Sequence, residues 1–142
     1  MASLSPLLNN FAAEDVAQLS TFGEARSYVD GDCIITEGDV NEYLYLVLRG
    51  KLDVSKHGES GPEHIAQITV TGSLGEMSVF DPGPASATVK ATGDVEVWRI
   101  SRSNLDRMHE VRPKVAYRLV CRICSVLAGR LRKLNQRFVD VN

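Results

Sequence analysis

The sequence predicts a mainly β domain, a sandwich or barrel, with helices at both ends. Between residues 25 and 100, short β-prone runs with a period of two alternate with glycine, proline and aspartate turns. On either side of this region the apolar residues recur at helical spacing. The chain has 142 residues, of which 44% are hydrophobic and 24% charged. These values are typical of one globular domain that needs neither metal nor disulfide to fold.

The N-terminal arm is predicted to be helical. Ser5 followed by Pro6 is a typical helix start, because proline at the first helical position has a suitable φ and its missing N–H costs no hydrogen bond. Two leucines and Phe11 follow at helical spacing. Residues 14–19 predict a second short helix that ends before Gly23.

Seven β-prone runs follow, each bounded by turn residues. Many short strands at regular spacing are typical of a β-sandwich or barrel. The polar segment Lys56–Glu63 is predicted to be a flexible hairpin loop. The predicted strands are Arg26–Val29, Cys33–Thr36, Tyr43–Leu48, Lys51–Ser55, His64–Val70, Ala85–Ala91 and Val95–Ile100.

Two helices are predicted after the strands. Ser101 or Ser103 can cap a short helix through Met108, and Pro113 begins a long helix that ends near Phe138. The long helix carries two apolar stripes. The shorter stripe consists of Ala116, Leu119, Ile123 and Val126. The longer stripe, called the seam below, consists of Tyr117, Val120, Cys124, Leu127, Leu131, Leu134 and Phe138.

The seam has heptad spacing and continues past the shorter stripe. One stripe can pack on the barrel, and the other then needs a different partner. We therefore predict a parallel two-fold homodimer through the seam, in which the Cys124 side chains of the two copies meet. Burial of the seam within the chain is the alternative.

Charge is segregated along the sequence. Residues 1–111 contain 8 Lys and Arg and 17 Asp and Glu, which gives −9, whereas residues 112–138 contain 8 Lys and Arg and no acid, which gives +8. Asp140 brings the net charge to −2. A basic helix can stay soluble and pack on an acidic body, and the alternative is a role in binding nucleic acid or a partner.

The three cysteines, Cys33, Cys121 and Cys124, are an odd number without framework spacing. Cys121 and Cys124 form a C-x-x-C that could bind metal or undergo redox chemistry, and the alternative is a pair of buried small hydrophobic side chains. Reduced thiols and the lack of a signal peptide favour the cytoplasm. No apolar run approaches the ~20 residues that span a membrane.

Nothing in the sequence predicts an enzyme. No nucleophile is paired with a base, no carboxylate pair is prominent and no set of metal ligands is present. His57, His64 and His109 are scattered and are predicted to lie on the surface. We therefore expect neither catalytic nor metal-binding residues.

Residues 72–89 combine a glycine-rich turn, one short helical turn, a loop with two prolines and an alternating strand. Such a unit can present backbone N–H groups in a concave place, as phosphate-binding sites do. This segment is the candidate ligand site.

Several spaced segments resemble the cyclic-nucleotide-binding domain family, and in particular the sensor domain of the catabolite-activator class. Residues 30–39 and 43–52 resemble its front half, residues 75–78 with 84–89 its phosphate-binding cassette, and residues 94–102 its last strand. The resemblance implies an eight-stranded double-stranded β-helix, a jelly-roll-like β-roll, with N-terminal helices and a long C-terminal helix. Residues 1–142 would form one free-standing domain: an arm (1–24), the roll (25–101) with its cassette (72–89), and two helices, B and C (102–142).

The resemblance also implies the ligand contacts. The Glu76 position normally accepts a hydrogen bond from the ribose 2′-hydroxyl, and the Ser86 and Ala87 positions normally donate to the cyclic phosphate. Three of the candidate ligand residues also have a structural interpretation, because Glu76 suits a helix N-terminus, Ser86 suits a strand and Met77 suits the core. The expected ligand-binding residues are Gly75, Glu76, Met77, Ser78, Ala85, Ser86 and Ala87.

Ala85 occupies the position where the family has a phosphate-binding arginine. Losing a charge-assisted contact of ~3 kcal/mol weakens binding roughly a hundredfold. Lys90 is the nearest cation in sequence, and on a strand it should face away from position 85. We therefore expect weak binding of cAMP or cGMP, or binding of another small anion, with no further cofactor.

The predicted function is a non-catalytic regulatory or sensor module that signals through the dimerising helix to an unknown downstream protein. One alternative is a ligand-free dimerisation or docking module. Another is the sensor part of a bacterial transcription regulator whose helix-turn-helix is absent from these 142 residues, in which case nucleic-acid binding by this chain is not expected.

Overall fold

A computed structural model describes residues 11–69, 73–74 and 83–141, with only the backbone described for residues 73–74 and 137–141. The predicted helix start at Ser5 and Pro6 lies outside the described residues. So do the cassette residues 75–78, and the side chain of Phe138 is likewise not described.

The described part contains three helices, α1 (Ala13–Phe22), α2 (Arg102–Val111) and α3 (Pro113–Val141). The end of α1 before Gly23 confirms the second predicted N-terminal helix. Ser101, and not Ser103, caps α2, because its hydroxyl accepts a hydrogen bond of 3.1 Å from the backbone amide of Asn104. Helix α3 begins at Pro113 as predicted and runs three residues beyond Phe138.

Six described strands form one antiparallel sheet with the order β1-β6-β3-β4, to which β2 adds on β6 and β5 adds on β3. The two long strands each join two predicted strands, with Gly50 and Gly93 at the bends. Counting both halves of each gives the eight runs of the predicted roll, which confirms the fold class. The strands are β1 (Glu24–Tyr28), β2 (Cys33–Ile35), β3 (Tyr43–Gly58), β4 (Gly61–Ile68), β5 (Ser73–Leu74) and β6 (Thr88–Ser101).

The bend in β3 requires glycine at position 50. Gly50 has a φ of +94°, and a Cβ built there would lie 2.5 Å from the carbonyl oxygen of Asp94. The ladder between β3 and β6 shifts register between Val47 and Arg49 and again across Gly50, between Arg49 and Lys51, so the two strands bend together and the sheet can curl.

The predicted hairpin at Lys56–Glu63 is present, but the prediction that the whole segment is a flexible loop was wrong. Strand β3 continues to Gly58 and β4 starts at Gly61, so the turn between them has two residues. Lys56 pairs directly with Glu63 in this ladder. The sequence pattern predicts a loop here because both faces of the segment are solvated. A two-stranded ribbon of this kind shows no alternation of apolar and polar residues.

Two apolar layers lie on opposite faces of β3 and β6. Leu44, Leu46 and Leu48 face the helices, whereas Tyr45 and Val47 face the interior of the roll, as the period of two requires. The helix layer also contains Leu19, Phe22, Trp98, Ile100, Leu105, Met108, Val115, Ala116, Leu119 and Ile123. The interior layer also contains Ile35, Leu52, Ala85, Val89, Ala91, Val95 and Val97.

The shorter stripe of α3 packs on the roll as predicted. Ala116, Leu119 and Ile123 are buried in the helix layer, and Val126 is half-buried against it. Arg118 of α3 forms an ion pair with Asp15 of α1, which ties the two terminal helices together.

Candidate functional site

The described end of the cassette is held by the turn after β2. The Gly38 amide donates to the Ala85 carbonyl over 2.8 Å, and the Ala85 amide donates to the Asp39 carbonyl over 2.8 Å. Val40 and Pro84 form an additional β-bridge. These contacts fix the backbone of residue 85 where the chain enters the roll.

The Ala85 side chain is buried in the interior layer, with 8% of its surface exposed. The buried apolar side chains that share this layer include Tyr45 as a polar member. Lys90 is exposed while its neighbours Val89 and Ala91 are buried in the interior, so Lys90 points to the outer face of the roll as expected. The structure thus brings no lysine to the position of the missing arginine.

The next two predicted ligand residues lie at the surface of the same segment. Ser86 is exposed and Ala87 is half-buried. Thr88, which begins β6, accepts a hydrogen bond of 3.0 Å on its hydroxyl from the Glu37 amide. The remaining predicted ligand residues, Gly75, Glu76, Met77 and Ser78, lie outside the described residues.

A polar cluster at one end of the roll was not predicted. Arg99 lies opposite Glu24 on β1 and Tyr45 on β3, so the three side chains share the interior-facing side of the sheet. Its guanidinium binds the Glu24 carboxylate over 2.7 Å and stacks on the Tyr43 ring at 4.0 Å. The period of two that places Val95 and Val97 inside also places residue 99 there, and this was the available signal.

The cluster shifts the ionisation of its members. The hydrogen bond from Arg99 lowers the pKa of the Glu24 carboxyl, and burial raises the pKa of the Tyr45 hydroxyl. Arg99 is therefore engaged by a carboxylate of its own chain and is not a substitute for the cassette arginine.

The seam of α3 is largely uncovered. The exposed fractions of Tyr117, Leu131 and Leu134 are 70%, 60% and 48%, which is high for large apolar side chains. Val120 is half-buried, and Leu127 is half-buried against the helix layer. Within the described residues, no element of the chain covers the distal part of the seam.

The interpretation of Cys121 and Cys124 as buried small hydrophobic side chains was wrong. Both are exposed, because they lie on the outer side of α3, away from the buried stripe, and Cys33 is exposed as well. Hydrogen bonding to the Cys121 thiol raises the pKa of Tyr117. Within the described residues no group of three His, Cys, Asp or Glu side chains is placed to hold a metal ion.

Residues 25–111 match the family model of the cyclic nucleotide-binding domain. The chain belongs to the cyclic nucleotide-binding domain family. The match covers more than half of the chain and includes the roll and α2. It confirms the family that the sequence motifs indicated. As its name says, this family consists of domains that bind cyclic nucleotides.

Two proteins similar in sequence to this chain are regulatory proteins. The chain is 33% identical over 130 residues to the cyclic AMP receptor protein of Thermus thermophilus, covering 91% of this chain and 58% of that protein. It is 34% identical over 103 residues to a cAMP-dependent protein kinase regulatory subunit of Eremothecium gossypii, covering 72% of this chain and 22% of the subunit. The chain thus spans little more than half of the length of the first relative and less than a quarter of the length of the second.

A solved structure supports the architecture over almost the whole chain. The cyclic nucleotide-binding domain from Methylobacillus flagellatus superposes with a TM-score of 0.90 at 26% identity, covering 99% of this chain and 83% of that one. The mainly β roll with flanking helices is therefore the family fold. Among the described helices, none combines the length and apolar character needed to cross a membrane.

Proposed function

We propose that this cyclic nucleotide-binding domain is a non-catalytic regulatory module that binds a cyclic nucleotide weakly, or another small anion, at its cassette. The observation that carries the proposal is Ala85, which is buried inside the roll at the position of the family's arginine. The backbone there is held in place, and Arg99, which faces the interior side of the sheet, is already engaged by Glu24. Affinity for a cyclic phosphate should therefore be low while the shape of the pocket is kept.

The path from the ligand to α3 would run through β6. This strand begins at Thr88, near the end of the cassette, and ends in the helix layer with Trp98 and Ile100. Leu119 and Ile123 of α3 belong to that same layer. If residues 85–88 have two conformations, a ligand that binds one of them more tightly would favour that conformation. It would thereby favour one of two ways in which α3 packs on the roll.

The module would signal through a parallel homodimer that forms along the seam. The exposed Leu131 and Leu134 lie beyond the part of α3 that packs on the roll, and a second copy would cover them. With Tyr117 as heptad position a, the positions beside the seam hold little charge to oppose pairing. These positions are Ala116, Cys121, Ile123, Ala128, Arg130, Asn135 and Arg137, so Arg130 would face Asn135 of the second copy.

The test is calorimetric titration of the chain with cAMP, cGMP and a cyclic dinucleotide, alongside Ala85→Arg. We expect weak or unmeasurable binding by the original chain and a gain of roughly a hundredfold for one cyclic nucleotide in Ala85→Arg, because arginine adds ~3 kcal/mol at the phosphate. Ala25→Arg adds the same charge at an exposed position of β1 and should gain nothing.

If neither the original chain nor folded Ala85→Arg binds any of these ligands, the sensor function is wrong. The ligand-free docking module then becomes the better interpretation. Circular dichroism of Ala85→Arg establishes that the variant is folded.

A second candidate is the sensor part of a bacterial transcription regulator. It is favoured by the likeness to the Thermus cyclic AMP receptor protein, of which the chain spans 58%. DNA binding would then require sequence outside these residues, and a gel shift with this chain should stay negative at low salt. We further propose that the protein acts in the cytoplasm, with a downstream protein as the partner of the module.

A further inference from the structure

The outer face of the roll carries a polar cavity that is separate from the interior layer around Ala85. Its volume is about 310 Å³, which is at the small end of the range of ligand sites. Its walls come from the hairpin of β3 and β4, the start of β6 and the turn after β2. The lining residues are Glu37, Ser55, Lys56, His57, Pro62, Thr88 and Lys90.

Strand pairing explains why these side chains converge. Ser55 and Thr88 are directly opposite each other in the ladder of β3 and β6, and Lys90 follows two residues later on the same face. Val89 lies between them and is buried in the interior layer, so Thr88 and Lys90 point outward. His57 pairs with Pro62 in the hairpin, which closes the other side.

Hydrogen bonds hold the walls together. The Glu37 carboxylate accepts from the His57 amide over 2.9 Å, which ties the hairpin to the turn. The Glu37 amide donates to the Thr88 hydroxyl over 3.0 Å, so that hydroxyl keeps its own proton for a further acceptor. The Ser55 hydroxyl lines the cavity next to it.

The cavity is rich in cations. Lys56 and Lys90 line it, and neither forms an ion pair with any residue in the described ranges. His57 adds an imidazole that can donate a hydrogen bond. The Glu37 carboxylate is the acidic group in the lining, and it is already engaged by the hairpin. Two lysines that form no ion pair with a described residue, beside two hydroxyls, provide donors suited to phosphate oxygens.

We propose that this cavity binds a small phosphorylated ligand, a phosphate monoester or diphosphate, on the outer face of the roll. Lys56 and Lys90 supply the charge, and the Thr88 and Ser55 hydroxyls donate to the phosphate oxygens. The site is independent of the cassette interior, because it faces the opposite side of β6. It shares the turn after β2 with the cassette, since the backbone of that turn also holds Ala85.

The test is titration of the full chain with inorganic phosphate and with pyrophosphate, at ionic strength held constant with chloride. Binding is followed by calorimetry and by amide chemical shifts in NMR spectra. We expect saturable binding, stronger for pyrophosphate, with the largest shifts at His57, Thr88 and Lys90. The double variant Lys56→Ala with Lys90→Ala should bind at least tenfold more weakly.

Lys51→Ala is the matched control, because Lys51 is an exposed lysine of β3 that does not line the cavity. It should bind like the original chain. Absence of saturable binding, equal loss in Lys51→Ala, or shifts confined to interior residues such as Val97 would each overturn the proposal. Circular dichroism establishes that the variants are folded, and none of these outcomes bears on the Ala85→Arg titration.

Discussion

Glu24 and Arg99 form an ion pair across β1 and β6, at the open end of the interior layer. Hydrogen bonding to Arg99 lowers the pKa of Glu24 below the ordinary Glu value of about 4.3. Such a group stabilises the folded state above its unfolded pKa, and the contribution is lost as the pH falls through the folded pKa. The side chain of Glu24 is half exposed, so the effect should be small.

Replacing Glu24 with glutamine (Glu24→Gln) tests the contribution of this ion pair to stability. We expect the urea midpoint of this variant to lie below that of the original chain at pH 7, and the difference to be smaller at pH 3, because the contribution is lost as the pH falls below the unfolded pKa and through the lowered folded pKa of Glu24. Urea unfolding at the two pH values measures this. Glu59→Gln, in the exposed turn between β3 and β4, should track the original chain at both. A constant difference between Glu24→Gln and the original chain at both pH values would contradict a role for the ion pair.

The sequence alone predicted that position 85 lacks a cation, but it did not predict the ion pair of Glu24 and Arg99. Ala85 was identified because the residues around it carry a local motif. The pair of Glu24 and Arg99 joins residues that are 75 positions apart, and only the register of β1 on β6 places them together. Local patterns contain no information on that register.

Helix α3 has two halves with different surroundings. Its first half buries Leu119 and Ile123 in the helix layer, whereas Leu131 in its second half is 60% exposed. Apolar spacing in the sequence predicted both stripes and the start at Pro113, because helix start signals and periodicity are local. It predicted a hairpin between β3 and β4 but not how far the two strands continue into it, because that pairing depends on backbone bonds between polar residues.

The prediction for this element is that Leu131→Asp lowers the mass in sedimentation equilibrium from a dimer toward a monomer. A carboxylate in the seam would be buried and unpaired against its copy. Leu131 is preferred to Leu127, because Leu127 also contacts the helix layer of its own chain. Gln136→Asp, at an exposed position outside the seam, is the control and should leave the mass unchanged.

Cysteine oxidation tests the direction of pairing. In a parallel seam, position-a residues of the two copies meet, so mild oxidation should link the exposed Cys124 side chains. Cys124→Ser should abolish the linked dimer on a non-reducing gel, and Cys121→Ser should keep it. An unchanged mass in Leu131→Asp together with no linked dimer would place the seam outside any homodimer.

In the whole molecule, two apolar layers share the strands β3 and β6. Residues of β3 alternate between them, with Leu46 in the helix layer and Val47 in the interior layer. Neither layer can lose its packing without affecting the strands that support the other. We therefore expect the roll and its helices to unfold as one cooperative unit.

A matched pair of core variants tests this expectation. Leu119 lies in the helix layer and Leu52 in the interior layer, and both are completely buried. Replacing either with alanine should cost about 2–5 kcal/mol, because each change removes the same atoms and leaves a cavity. Trp98 is the single tryptophan of the chain and lies in the helix layer, so its fluorescence reports that layer.

The decisive measurement is Leu52→Ala followed by both Trp98 fluorescence and far-ultraviolet circular dichroism, at fixed protein concentration. The substitution is in the interior layer, yet in one cooperative unit it must lower the fluorescence midpoint as much as the dichroism midpoint. Val40→Ala, at a side chain that is 74% exposed, should shift neither by more than about 0.5 kcal/mol. If Leu52→Ala moved the dichroism transition and left the fluorescence transition in place, the two layers would unfold separately, and coupling through β6 would lose its physical basis.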